Sequence, residues 1–241
     1  MREDRPSRLR RDGRSILVVR HGELNRWWSV GVRLVKPLVC ILFRVRVSGL
    51  EHLPLSGPVI VAFNHVRVLD GPVIAIEIAH RIRRETRFLV AAELFDRPVW
   101  GWILSRYEQI PIRRGQADSG ALDEAIRVIR HGALAALAPE GKVNGDGNHL
   151  LRIKSGVARI ALPTGAPVIP LGIWGTQDRW PRGRIRWGRP LRPRLALAFG
   201  PPLLVLGDAD ERPDSDDVRD RLRSQLETQV TLARRMTGTT K

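Results

Sequence analysis

Two hydrophobic periods alternate along the middle of the chain. Short, mostly apolar runs, Pro58 to Phe63, Arg87 to Ala91, Ile110 to Ile112, Ala133 to Ala138, Val168 to Ile173 and Leu195 to Phe199, read as strands. Arg44 to Val47 adds a short one. Between them lie Gly71 to Arg84, Pro98 to Ser105, Ser119 to His131 and Val157 to Thr164, which read as helices. In the third of these, Leu122, Ala125, Ile126 and Ile129 share one face, and Gly132 ends the helix. Asp216 to Arg235 predicts a C-terminal amphipathic helix. The alternation predicts an α/β class: a single domain with a mostly parallel central sheet flanked by helices.

The N-terminal region follows a different pattern. Residues 1–14 are polar and basic and predict a disordered arm. Ser15 to Val19 predicts a short strand, and Asn25 to Phe43 a helix broken near Pro37. A membrane span needs about 20 mostly apolar residues. The segment Trp27 to Val47 is interrupted by Arg33, Lys36, Pro37, Arg44 and Arg46. It is expected to lie in an interface, with Trp27 and Trp28 at headgroup depth and arginines facing anionic lipid. The first fifteen residues are charged and no long apolar region follows, so no secretory signal is expected. The chain thus divides into the arm at 1–14, a basic Trp-led interfacial segment at 15–47, a main domain at 48–206, and a C-terminal helix and tail at 207–241.

Charge narrows the partners. The net charge is +16. Residues 1–47 hold twelve Lys/Arg against four Asp/Glu, half of that excess. Arg179 to Arg194 holds seven arginines, no acid, and interleaved Trp180 and Trp187. An anionic partner is implied: membrane surface, phosphorylated small molecule or nucleic acid. No helix-turn-helix, zinc-finger or RNA-binding pattern is present, so nucleic acid is not expected. The lone Cys40 excludes an internal disulfide framework and most zinc sites. It lies in an apolar run and reads as a small buried hydrophobe.

The most informative stretch is Asn64-His65-Val66-Arg67-Val68-Leu69-Asp70, between two apolar runs. A carboxylate can accept the proton of one imidazole nitrogen and leave the other free to act as a base. Positions i and i+5 point about 140° apart on a regular helix. The pair therefore needs a strand-to-helix turn, which the flanks predict. Taken alone, a histidine capping a helix accounts for the spacing equally well. Four further segments fall at strand or helix ends. Ile112-Arg113-Arg114-Gly115 is a cationic turn, and Pro139-Glu140-Gly141-Lys142 opens a Gly-rich loop. Lys154-Ser155-Gly156 opens a helix whose free N–H groups favour an anion. Val168-Ile169-Pro170 enters an apolar strand. Loops after strand carboxyl ends converge on one crevice in such a sheet.

These segments, in this order, resemble the glycerolipid acyltransferase family, typified by 1-acyl-sn-glycerol-3-phosphate acyltransferases. The family's N-H-x-x-x-x-D motif is matched by Asn64, His65 and Asp70, its strand-end arginine by Arg113, and its F-P-E-G-T-R motif in part by Pro139, Glu140 and Gly141. Its V-x-P strand is matched at Val168 to Pro170. The resemblance covers about Leu38 to Pro202. It implies transfer of an acyl group from acyl-CoA or acyl-carrier protein, as co-substrate, to a lysophospholipid hydroxyl. No bound cofactor or metal is implied. His65 would be the base and Asp70 its orienter. Asn64, Arg113, Glu140, Gly141, Lys142 and Lys154 would bind the acceptor, and Ile169 and Pro170 would border the acyl chain. The expected location is the cytoplasmic face of the cell membrane, peripheral or monotopic. Two cations of the family pattern are missing: Val143 stands where arginine is usual, and Ala91 and Ala92 where lysine is common. Lys142, Arg67 and Lys154 are the cations available to compensate; without them the expected acceptor is a different lipid hydroxyl, one without a phosphate included. A rival reading, the histidine-phosphatase-like Arg20-His21-Gly22 with a second candidate at His131, lacks the rest of that pattern. A lipid-binding relative without catalysis is disfavoured by the intact His65–Asp70 pair.

Overall fold

A computed structural model describes residues 24–113, 118–145, 149–181, 186–188, 190–205 and 214–238, with the backbone of 10–11 and 14–15. The latter form a small antiparallel pair, β1 (Arg10–Arg11) and β2 (Arg14–Ser15). Most of the expected arm, and the expected strand beyond Ser15, lie outside the described residues. So does the Arg20-His21-Gly22 motif.

The first long element is α1 (Arg26–Leu42). Asn25 caps it by accepting from the backbone N–H groups of Trp27 and Trp28. The expected break at Pro37 does not occur: the proline sits inside a continuous helix. It removes one helical N–H donor, but its ring faces outward and is exposed. Trp28 is also corrected. It is 1% exposed and packs with Leu24 and Ala79, its ring edge-on to Tyr107 at 5.1 Å, so it belongs to the core and not to a headgroup layer. Cys40 is only partly buried.

The chain continues through β3 (Arg44–Ser48), β4 (Val59–Phe63), α2 (Asp70–Ile82), β5 (Thr86–Ala91), α3 (Pro98–Arg106), β6 (Ile110–Ile112) and α4 (Ser119–Arg130). It then forms β7 (Leu134–Leu137), α5 (Gly156–Thr164), β8 (Val168–Trp174), α6 (Thr176–Arg179), β9 (Arg194–Phe199) and α7 (Ser215–Thr237). The main sheet runs β3-β9-β8-β4-β7-β5-β6. Strands β8, β4, β7, β5 and β6 are parallel. Strand β9 is antiparallel to β8, and β3 pairs with β9 in parallel, so these two run the other way.

The central strand shows why the sheet is covered on both faces. Every residue of β4 is buried. Val59, Val61 and Phe63 pack with Val73, Ile74 and Ile78 of α2 and with Val39 of α1. Ile60 and Ala62 point the other way, to Leu122, Ala125 and Ile129 of α4, Ile160 of α5 and Leu222 of α7. This is the period-2 alternation of a strand with two apolar faces. Burying one such side chain contributes about 1.5–3 kcal/mol. Helix α7 lies on β8, and the approach is close at Gly172, where a Cβ would stand 2.2 Å from the backbone of Gln229. With β4 central and four other strands running in its direction, the loop after Phe63 opens in the middle of the carboxyl edge.

Candidate active site

Phe63 ends β4, and the loop from Asn64 to Leu69 carries the chain into α2, whose first residue is Asp70. The strand-to-helix turn expected for the His-x4-Asp spacing is therefore present. His65 Nδ1 lies 3.0 Å from Asp70 Oδ2. The same carboxylate oxygen accepts from the backbone N–H of Val66 at 2.6 Å and of Arg67 at 2.7 Å. The other oxygen accepts from the Thr176 hydroxyl at 2.6 Å. Asp70 is 0% exposed and the His65 side chain 14%, so the carboxylate is shut from water while the imidazole meets solvent. With Nδ1 facing the carboxylate, Nε2 is the ring nitrogen available to take a proton. The Phe63 ring meets the imidazole edge-on at 5.7 Å.

The loop after β7 and the end of strand β8 hold this turn. Glu140 is 2% exposed. Its carboxylate accepts from the His65 backbone N–H at 3.3 Å and the Leu151 N–H at 2.9 Å. Asn144 N–H donates to the His65 carbonyl at 2.6 Å. His65 is thus held by both its backbone groups. Glu140 is a scaffold of the pair in this geometry, and its oxygens face protein donors. Asn64 is likewise buried and engaged with β8: its amide donates to the Ile173 carbonyl at 3.0 Å, and its oxygen accepts from the Ile173 N–H at 2.7 Å.

The cations are distributed unevenly. Lys142 and Arg113 are exposed. Arg113 follows β6, three strand spacings from β4, or about 14 Å along the edge. Its turn is organised by Asp118, which accepts from the Arg113 N–H at 2.8 Å and caps α4 through Ala121. These two bonds hold the Asp118 carboxyl below the usual range. Arg114 and Gly115 lie outside the described residues. As expected, Lys154-Ser155-Gly156 leads into a helix, α5, with Ser155 at the cap position; the Lys154 N–H is used by the Pro139 carbonyl. Its side chain lies over Gly141, where a Cβ would stand 2.8 Å from Nζ. The ammonium therefore sits beside the Pro-Glu-Gly turn. Arg67 is occupied as a strap: it donates to the carbonyls of Trp180 at 3.0 Å, Val66 at 2.6 Å and Gly145 at 3.1 Å.

Ile169 and Pro170 are fully enclosed in β8, Ile169 within the core beneath α1 and α2. The expectation that they border an acyl chain meets a strand buried on both faces. His131 is exposed at the end of α4, on the edge opposite His65, and accompanies no site. Thr176, Asn144 and the Arg67 strap were missed in the sequence. The available signal for Thr176 was its position after β8, the same strand-end rule that marks His65.

A family model described as Acyltransferase matches residues 44–174, more than half of the chain, including the loops that carry His65, Arg113 and Glu140. The chain belongs to the Acyltransferase family. The chloroplastic 1-acyl-sn-glycerol-3-phosphate acyltransferase of Brassica napus is 31% identical over 144 residues, 58% of this chain and 40% of that protein. The N-acylphosphatidylethanolamine synthase of Arabidopsis thaliana is 30% identical over 165 residues, 64% of this chain and 58% of that protein. The crystal structure of the 1-acyl-sn-glycerophosphate (LPA) acyltransferase PlsC from Thermotoga maritima superposes with a TM-score of 0.70 at 25% identity. It covers 85% of this chain and 78% of its own. The chain spans about two fifths of the length of the mycobacterial relatives that it matches. The matched range includes the turn that joins His65 to Asp70.

Proposed function

We propose that this acyltransferase-family chain moves an acyl group from an acyl thioester to a hydroxyl of a lysophospholipid of the 1-acylglycerol-3-phosphate type. The observation that carries the reading is the 3.0 Å contact between His65 Nδ1 and a carboxylate already held by two backbone N–H groups. His65 Nε2 takes the proton of the acceptor hydroxyl as its oxygen attacks the thioester carbonyl carbon. Asp70 stabilises the imidazolium. The tetrahedral intermediate collapses, the C–S bond breaks, and the leaving sulfur takes the proton from Nε2. No covalent acyl-enzyme is required. Either acyl-CoA or acyl-carrier protein can supply the thioester.

Lys154, beside the Gly141 turn, and Lys142 are the cations nearest the Pro-Glu-Gly loop for an acceptor phosphate, with Arg113 further along the edge. A second reading is favoured by Val143, Ala91 and Ala92, which supply no cation. The acceptor is then a lipid whose phosphate is a diester, as in the phosphatidylethanolamine of the Arabidopsis relative's name. One acyl thioester offered to lysophosphatidate and to lysophospholipids with esterified phosphate separates the two, with free thiol as the readout. Loss of thiol release in His65→Ala is expected for every acceptor, and full activity in that variant ends the mechanism.

The reading places the enzyme on an anionic membrane surface, at the cytoplasmic face. No helix among the described residues is long and apolar enough to cross a membrane. Support comes from α1, where Val30, Leu34, Leu38 and Ile41 recur at helical spacing and are 43–65% exposed. Exposed Val99, Trp100 and Trp102 of α3 continue the apolar surface, joined to α1 by the edge contact of Trp27 with Trp102. Arg106 lies over both of those rings.

A further inference from the structure

We infer that Thr176 is a positioning residue of the His65–Asp70 pair, its hydroxyl fixing the plane of the carboxylate and through it the tautomer of the imidazole. The inference rests on the reading of His65 as general base. Asp70 and Thr176 are both 0% exposed, so their side-chain oxygens need partners within the protein. The bonds from Val66 N–H and Arg67 N–H fall on one carboxylate oxygen, Oδ2, which also faces His65. A carboxylate held at one oxygen can still turn about that point. Thr176 Oγ1 donates to Oδ1 at 2.6 Å and supplies the second fixed point. With both oxygens held, Oδ2 stays in line with Nδ1–H, and the proton stays on Nδ1.

The way the hydroxyl is delivered supports the role. Asn64 makes a side-chain rung with both backbone groups of Ile173, which ties the end of β8 to the end of β4. The chain then turns at Gly175, with φ 114°. A Cβ there would stand 2.2 Å from the Arg194 carbonyl, so only glycine fits the turn. Thr176 is thereby placed across from the first residue of α2. The Thr176 hydroxyl, at the first residue of α6, points across to Asp70 Oδ1.

The test compares Thr176→Val, nearly isosteric but without the donor, with Thr176→Ser, which keeps it. In Thr176→Val, kcat should fall about tenfold or more with KM changed by less than about twofold. The Nδ1–H share of the His65 imidazole, read by nitrogen NMR at neutral pH, should fall with it. Thr176→Ser should restore both. Thr176→Cys, a weaker donor of similar size, is the second variant should valine prevent folding, with intermediate values expected. Wild-type kcat and tautomer in the valine variant, or a loss matching only its folded fraction with the tautomer unchanged, overturns the inference. His65→Ala is measured alongside. An active His65→Ala removes the base assignment itself, whereas an inactive one beside an unaffected Thr176→Val removes only the role of Thr176.

Discussion

The backbone N–H of His65 donates to the carboxylate of Glu140, a residue 75 positions later in the chain. The bond joins the loop after β4 to the loop after β7, two strands that are neighbours in the sheet. The same carboxylate reaches the Leu151 N–H, so one buried side chain sets the distance between the candidate base and the Pro-Glu-Gly turn.

Glu140→Gln should therefore cost activity although no substrate contact is removed. One oxygen becomes an NH2 group that faces a backbone N–H donor. A buried mismatch of this kind costs about 1–3 kcal/mol. The expected outcome is a fall in kcat/KM of about tenfold or more, with a lower thermal midpoint. Unchanged kinetics and unchanged melting would show that His65 does not depend on this bond.

The apolar stripe of α1 predicts a separable binding surface. Leu34 and Leu38 are more than half exposed, so Leu34→Asp with Leu38→Asp should alter stability by less than about 1 kcal/mol. Flotation with anionic vesicles should be lost, and activity on acceptor dispersed in detergent kept. Undiminished flotation of the double variant would exclude this face as the membrane contact.

Helix α1 is fastened to α2 by an ion pair between Lys36 and Glu77, the latter 1% exposed and also bonded to Arg81 at 3.0 Å. Lys36→Met leaves the buried carboxylate with Arg81 alone and should cost about 2 kcal/mol. Lys36→Met combined with Glu77→Leu should recover most of that loss, because no buried charge remains unpaired. Urea unfolding of both singles and the double measures the coupling, and additive losses would refute it.

Burial raises the Glu85 carboxyl above the ordinary glutamate value. The Asn25 N–H and Arg87 oppose the rise, and Glu108 adds to it. A group whose folded pKa is raised binds more protons folded than unfolded. Its contribution is fully present below the unfolded value, near 4.5, and is lost as pH rises through the raised one. The urea midpoint of the wild type relative to Glu85→Gln should therefore fall as pH rises through the window above about 4.5. A constant difference across that window would contradict the raised pKa.

Much of this arrangement could be read from local pattern. The apolar runs predict the inner strands β4, β7 and β8, because a strand buried on both faces must be apolar throughout, as Val59 to Phe63 is. The turn between Phe63 and Asp70 followed from the angle between positions i and i+5. Other features were not legible. Pro37 was expected to break α1, but an outward-facing proline costs one bond and leaves the helix intact. Trp28 has the composition of an interfacial residue and the environment of a core residue; its place was decided by Tyr107, 79 positions away.

By itself, the sequence determined the α/β class, the strand-end loops and the chemical kinds of residue at the site, since each depends on periods of two or 3.6 residues or on a short motif. Tertiary structure decided which of those residues face substrate and which face protein. Glu140 and Asn64 proved to be bonded to backbone, Ile169 to be core, Arg67 to be a strap, and Thr176 to complete the carboxylate of Asp70 from 106 positions away. The physical reason is that burial and hydrogen bonding depend on which strands become neighbours. In a crossover sheet, the strands that meet at the site are far apart in the chain.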